Sequence, residues 1–215
     1  MGEARLTGNL FIDGPAGRLE AIFKPAGDSD RLAVVAHPHP AHGGTMHNKV
    51  VYRAAQALNQ AQVATLRFNF RGVGLSEGAY DEGRGERDDL QAVLDYASQH
   101  YPDRQLIVGG FSFGAWVGLD VGCRDARVGT LLGIGTPLRI LALDGLASCA
   151  KPKLFVQGTQ DQYGPLAELA TWYQGLPEPK QLVTVSGAGH FFEGHLDELM
   201  AAIRNYFSPQ SSGPA

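Results

Sequence analysis

The chain has 215 residues, 44% of them hydrophobic and 19% charged, and its 18 basic and 22 acidic side chains leave a net charge of −4. This is the composition of a soluble globular protein with enough chain to bury one core, and the acid-leaning balance argues against nucleic acid as the main partner. No apolar run is long enough to insert into a membrane, the first residues show no basic-then-apolar leader, and Cys123 and Cys149 are too few for a disulfide framework, so a cytoplasmic protein is expected.

Residues 6–24 read as two strands joined at the hairpin turn Gly14-Pro15-Ala16-Gly17. Residues 32–36 are a continuous apolar strand of the doubly buried, parallel type. Val51, Ala54, Ala55 and Leu58 then fall on one face of a helix. Residues 63–70 return to strand. Leu90, Val93, Leu94 and Ala97 mark the next helix, with Glu86, Asp88 and Asp89 near its start, where the helix dipole favours acids. Leu106-Ile107-Val108-Gly109 is a strand and 115–119 a buried helix. Strands at 128–134, 153–157 and 181–185 alternate with helices carrying Leu166, Leu169, Ala170 and Tyr173, then Leu196, Leu199, Met200, Ile203 and Phe207.

Strands alternating with helices from residue 32 onward imply an α/β class protein. The expected sheet has eight strands, mostly parallel, with helices on both faces and the first two strands as an antiparallel edge. No repeat or linker divides the chain. One domain is expected over 1–207, and the tail 208–215 reads as disordered.

Between the strand at 106–109 and its helix stands Gly110-Phe111-Ser112-Phe113-Gly114. A G-x-S-x-G sequence in a strand-to-helix turn is a nucleophile elbow. Its glycines remove Cβ atoms that would clash in so sharp a turn and leave the serine Oγ exposed. Two partners follow, each just past the carboxyl end of a strand, where open parallel sheets bind ligands: Asp161 after 153–157 and His190 after 181–185. Neutral His190 would take the Ser112 proton and return it to the leaving group, while Asp161 would hold the imidazole tautomer. Taken singly, each has a plainer reading: a loop serine, a turn aspartate, a loop histidine. His195 is a rival base, but it reads as entering the last helix.

The chain order Ser, Asp, His is that of the α/β-hydrolases. Over roughly residues 5–207 the chain resembles that superfamily. It is similar in particular to the small lid-less bacterial serine hydrolases related to dienelactone hydrolases, the predicted esterases. The resemblance rests on the elbow and on two longer stretches: His37-Pro38-His39-Pro40-Ala41-His42-Gly43-Gly44-Thr45-Met46 and Arg67-Phe68-Asn69-Phe70-Arg71-Gly72-Val73-Gly74-Leu75-Ser76-Glu77-Gly78. It implies an oxyanion hole built from the N–H of Phe113, after the nucleophile, and one from the His37 loop. Pro38 and Pro40 have no N–H, which leaves His39, unless the prolines merely end the strand. Arg71 reads as a structural pairing partner rather than a substrate contact. The interval 135–153 is too short for a cap domain, so an open site and small acyl groups are expected. Phe113, Tyr163 and Phe191 are candidate pocket walls, with core packing as the alternative.

Three other patterns are weighed against this one. His37, His39 and His42 resemble a metallo-hydrolase H-x-H-x-D-H run, but Ala41 stands at the acidic position. Gly72-Val73-Gly74-Leu75-Ser76-Glu77-Gly78 resembles a nucleotide loop, but it runs into 79–85 instead of opening a helix. Dienelactone hydrolases proper carry cysteine at the elbow where this chain has Ser112, which argues against dienelactone as substrate; Cys123 and Cys149 read as buried small hydrophobes. The expectation is an esterase acting on a small-molecule carboxylic ester with no cofactor and no metal. Thioester or amide hydrolysis, and a non-catalytic binding protein on the same fold, remain the alternatives.

Overall fold

The computed structural model describes residues 8–208. Of the expected tail 208–215, all but Ser208 lies outside the described residues, as do residues 6 and 7 of the first expected strand. The strands are β1 (Gly8–Gly14), β2 (Gly17–Lys24), β3 (Arg31–Ala36), β4 (Ala64–Phe68), β5 (Gln105–Phe111), β6 (Val128–Ile134), β7 (Lys153–Gly158) and β8 (Lys180–Val185). The helices are α1 (Lys49–Gln60), α2 (Arg84–His100), α3 (Phe113–Arg124), α4 (Leu166–Gln174) and α5 (Leu196–Phe207).

One eight-stranded sheet has the order β1-β2-β4-β3-β5-β6-β7-β8. β2 pairs antiparallel with both β1 and β4, and the remaining pairs are parallel. β2 alone therefore runs against the others, and β1, reversed twice, points the same way as the parallel set.

Alternating side chains sort the core into two layers. Leu32, Val34 and Ala36 of β3 pack with Leu90, Val93 and Leu94 of α2 and Val117 of α3. Ala33 and Val35 face the opposite way, onto Val51, Ala54 and Leu58 of α1 and Leu199 and Ile203 of α5. Trp172 and Tyr173 place α4 against the first layer.

The order places β3 between β4 and β5. The chain leaves β3 to one side through α1 and returns to its other side through α2. The carboxyl ends of β3 and β5 flank this switch point, the usual ligand crevice of an open α/β sheet. Between β6 and β7 there is a single short 3-10 turn, Asp144–Ser148, and no cap domain.

β4 ends at Phe68, two residues short of the expected strand. Asn69 N–H still reaches β2, donating to the Glu20 carbonyl at 2.8 Å, but the return bond is interrupted: Glu20 N–H donates to Ser76 Oγ at 2.9 Å, whose hydroxyl donates to the Asn69 carbonyl at 2.7 Å, and Phe70 N–H turns to His37 Nε2 at 3.0 Å. Of the acids expected near the start of α2, Glu86 stands in the first turn, whereas Asp89 lies beyond it, fully buried and bound to Arg71. Its carboxylate accepts Arg71 N–H at 2.9 Å, Nε at 3.0 Å and Nη2 at 2.7 Å.

Candidate active site

The elbow forms because glycine stands where nothing else fits. A Cβ on Gly110 would lie 2.2 Å from the Gly114 carbonyl oxygen, and one on Gly114 would lie 2.5 Å from the carbonyl oxygens of Ala36 and His37. Gly114 thus lets the start of α3 press against the end of β3. Ser112, between β5 and α3, has φ 55° and ψ −119°. Such a conformation costs a non-glycine residue about 1–3 kcal/mol, and strain of this kind clusters at functional sites. The Ser112 N–H is held by the Ile134 carbonyl at 2.9 Å.

The loops after β7 and β8 are joined to each other by backbone bonds. Thr159 N–H donates to Val185 O at 3.0 Å and Gln160 N–H to Ala188 O at 2.9 Å, and a Cβ on Gly158 would lie 2.3 Å from Ala188 O. This contact sets Asp161 beside His190. A carboxylate only accepts, so His190 Nδ1–H donates to Asp161 Oδ2, at 2.7 Å. Nε2 is then the acceptor for the Ser112 Oγ–H, at 2.9 Å. Ser112, His190 and Asp161, far apart in the chain, form one hydrogen-bonded line. Asp161 is 2% and His190 4% exposed. The buried carboxylate is further satisfied by Tyr163 N–H at 2.9 Å, Gly164 N–H at 3.2 Å and Gln157 Nε2–H at 2.9 Å. The rival His195 stands immediately before α5, away from Ser112, with Nδ1 3.4 Å from Glu198 Oε1.

The His37 loop closes on the His39 carbonyl, which accepts from His42 N–H at 3.1 Å and Gly44 N–H at 3.0 Å. The backbone N–H groups of His39 and of Phe113 donate to no acceptor among the described residues. The three histidines of the loop differ in setting. His37 is buried: Nε2 accepts from Phe70 N–H, so Nδ1–H donates to the Pro38 carbonyl at 2.6 Å. Burial lowers its pKa to about 4, against the opposing effect of the Pro38 bond. His39 Nδ1 accepts from Ala41 N–H at 3.2 Å, which leaves Nε2–H for Tyr80 Oη at 3.1 Å. Its pKa is lowered by partial burial and then by neighbouring His42. Among the described residues no group of three His, Cys, Asp or Glu is arranged to hold a metal ion.

A cleft of about 390 Å³ opens over Ser112 and His190. His39, His42, Gly44 and Asn48 form one part of its lining, and Phe113, Tyr163 and Phe191 another. Tyr163 is 39% and Phe191 42% exposed, with ring centroids 4.7 and 5.2 Å from that of His190. Phe113 is buried among His39, Phe70 and Trp116 while still bordering the cleft. Sequence reasoning missed Pro137, Ile140 and Leu141, which line the cleft from the loop after β6. It also missed Gln157, whose one signal was a polar residue closing the apolar run Leu154-Phe155-Val156.

Residues 30–198 match the alpha/beta hydrolase domain family. The chain belongs to that family. An alpha-beta serine hydrolase homologue from Coxiella burnetii is 38% identical, with 95% of this chain and 99% of that one covered and a TM-score of 0.87. A serine hydrolase without lid from Xanthomonas campestris is 32% identical over 97% of this chain and 98% of its own, with a TM-score of 0.88. An uncharacterized protein of Rickettsia prowazekii is 34% identical over 92% of this chain and 87% of its own length. This α/β hydrolase is accordingly of the small lid-less kind. Among its described residues no helix is long and apolar enough to cross a membrane.

Proposed function

We propose that the protein is a serine hydrolase that cleaves small-molecule carboxylic esters with short acyl groups through an acyl-Ser112 intermediate. The observation that carries this reading is the Ser112–His190–Asp161 line, at 2.9 and 2.7 Å, with its serine at the floor of an open cleft. Ser112 Oγ attacks the ester carbonyl as its proton passes to His190 Nε2. The carbonyl π electrons move to oxygen, and the N–H groups of Phe113 and His39 stabilise that oxyanion. The tetrahedral intermediate collapses, the C–O bond to the alcohol breaks, and His190 returns the proton to the departing oxygen. Asp161 holds Nδ1–H and stabilises the imidazolium formed in between. Water then repeats the sequence on the acyl-enzyme, releasing the acid and restoring Ser112.

A cleft near the lower end of the small-ligand range, with no cap over it, suits short acyl groups better than lipid chains. Tyr163 and Phe191 flank His190 and wall the substrate. No cofactor takes part in this scheme. We place the enzyme in the cytoplasm, where its two free thiols, Cys123 and Cys149, stay reduced.

The test is labelling by a fluorophosphonate, read by mass on the peptide containing Ser112, beside a His190→Ala control. Labelling of the wild type that is lost in the control supports an activated serine, and a panel of matched esters, thioesters and amides then separates the substrate classes. A folded wild type that takes no label would overturn the reading in favour of a binding protein on a hydrolase fold.

A further inference from the structure

Gln157 lies near the carboxyl end of β7 with its side chain fully buried. Its amide nitrogen donates to Asp161 Oδ2 at 2.9 Å and to the Gly164 carbonyl at 2.9 Å, and its oxygen accepts from Thr136 N–H at 2.9 Å. This orientation is forced. A carboxylate and a carbonyl only accept and a backbone N–H only donates, so a flipped amide would lose all three bonds. The chain also leaves room for it. A Cβ on Gly164 would lie 2.6 Å from the Gln157 nitrogen and 2.1 Å from the Thr136 oxygen.

The Asp161 carboxylate then has four protein donors. Tyr163 and Gly164 N–H bind Oδ1, while Gln157 and His190 share Oδ2. We propose that Gln157 is a positioning residue for the hydrolytic reaction: it fixes the Asp161 carboxylate and draws off part of the Oδ2 charge that His190 would otherwise receive alone. The proposal rests on the serine-hydrolase reading above and adds to it a residue that never touches the substrate.

The consequence falls on His190. A carboxylate oxygen that loses a donor stabilises a neighbouring imidazolium more strongly, so His190 holds its proton to higher pH. The titratable side chains in contact with His190 are Asp161, Tyr163 at the edge of its ring, and Ser112. His39 and His42 line the same cleft. Gln157 is the uncharged member among these groups, and it reaches His190 only through the Asp161 oxygen that the two share.

The experiment follows the His190 ring by NMR through a pH titration of the intact chain, as wild type, Gln157→Met and Gln157→Leu. Methionine keeps the length and removes both donors. Leucine also removes both donors in a shorter side chain, so it serves where methionine fails to fold. The expected result is a His190 pKa raised by about 1 in both variants. In active protein, kcat/KM below these pKa values should fall about tenfold with the neutral fraction, while the alkaline plateau moves less. A His190 pKa equal to wild type in both folded variants would overturn the proposal, even where activity or thermal stability drops, since packing alone would account for that. The ring titration needs no turnover. A wild type that neither hydrolyses esters nor takes the label overturns the serine-hydrolase reading separately.

Discussion

Replacing His39 by proline would delete one backbone N–H while preserving the local shape. His39 has φ −50° and ψ 120°. Proline holds φ near −65° with a spread of about 15°, and an extended ψ suits a residue that precedes Pro40. The bonds that close the loop run through the His39 carbonyl, from His42 and Gly44, and proline keeps that carbonyl. His39→Ala is the matched reference. Both variants lose the imidazole, its bonds with Ala41 N–H at 3.2 Å and Tyr80 Oη at 3.1 Å, and its ring contact with Phe113 at 5.0 Å. Those shared losses cost stability by about 1 kcal/mol for each hydrogen bond. The variants differ in the N–H and in the proline ring, which puts Cδ in the place of the hydrogen and restricts Pro38 to extended ψ. Removing one donor to an oxyanion raises the barrier by about 3 kcal/mol, roughly a hundredfold in rate. The assay is kcat on a short-chain ester for wild type and both variants, with a thermal melt of each. His39→Ala should stay within about tenfold of wild type, and His39→Pro should lie about 100-fold below His39→Ala at a similar melting temperature. Equal kcat in two folded variants would refute the role given to this amide.

Other perturbations test the frame around the site. Asp89→Ala strands the Arg71 guanidinium, whose side chain is 11% exposed beside a fully buried partner. Leaving a buried charge unpaired costs about 3–5 kcal/mol, or roughly 10 °C in melting temperature for a chain of this size; an unchanged melt would deny Arg71 its structural role. His37 has a folded pKa of about 4 against 6.5 unfolded. The unfolded chain then binds more protons between those values, so stability is lost as pH falls from 6.5 towards 4, by about 3 kcal/mol in all. Denaturant melts of His37→Gln across that window should show a flatter slope than wild type; parallel slopes would mean that His37 titrates normally. With no cap between β6 and β7, the rate on an ester series should follow the dissolved concentration smoothly through the solubility limit, and a jump at that limit would point to a moving cover.

Much of the fold was legible because it depends on local periodicity. β6 and α5 run over Val128–Ile134 and Leu196–Phe207, the spans that their apolar patterns imply. Where the reading slipped, a long-range bond had displaced a local preference. Residues 69 and 70 have the composition of a strand, yet Ser76 Oγ inserts between the Glu20 N–H and the Asn69 carbonyl and Phe70 N–H goes to His37, which no pattern within the segment reveals. Asp89 lies past the first turn of α2, whose acid is Glu86, and serves Arg71 instead of the dipole; Gly85, one turn earlier, lets Arg71 lie across the helix start, since a Cβ there would fall 1.9 Å from the Arg71 guanidinium. Local sequence carries the glycine and the two charges without the geometry that joins them.

The site divides along the same line. Ser112, Asp161 and His190 could be picked out because each stands at a strand end among glycines that a tight approach requires, and those glycines are visible in the sequence. The side chains that hold the three in place carry no such mark. Gln157 is one amide at the end of an apolar strand, and its importance lies in three partners: Thr136 after β6, and Asp161 and Gly164 after β7. It bridges two loops that approach one another only because β6 and β7 are neighbours in the sheet. The residues proposed for the bond-making steps need a particular local backbone, and that need reaches the sequence as a motif. Residues that tune them need only the right distance, which many sequences satisfy and the folded structure alone displays. Gly164 stands between the two kinds. It is a glycine with no positive φ to explain it, and the space that its missing Cβ leaves is filled by the Thr136 carbonyl and the Gln157 amide. Gly164→Ala should therefore move the His190 titration in the same direction as Gln157→Met, through an uncharged methyl that crowds the Thr136 carbonyl and the Gln157 nitrogen beside a backbone N–H already given to Asp161; an unmoved titration in the folded variant would deny the coupling.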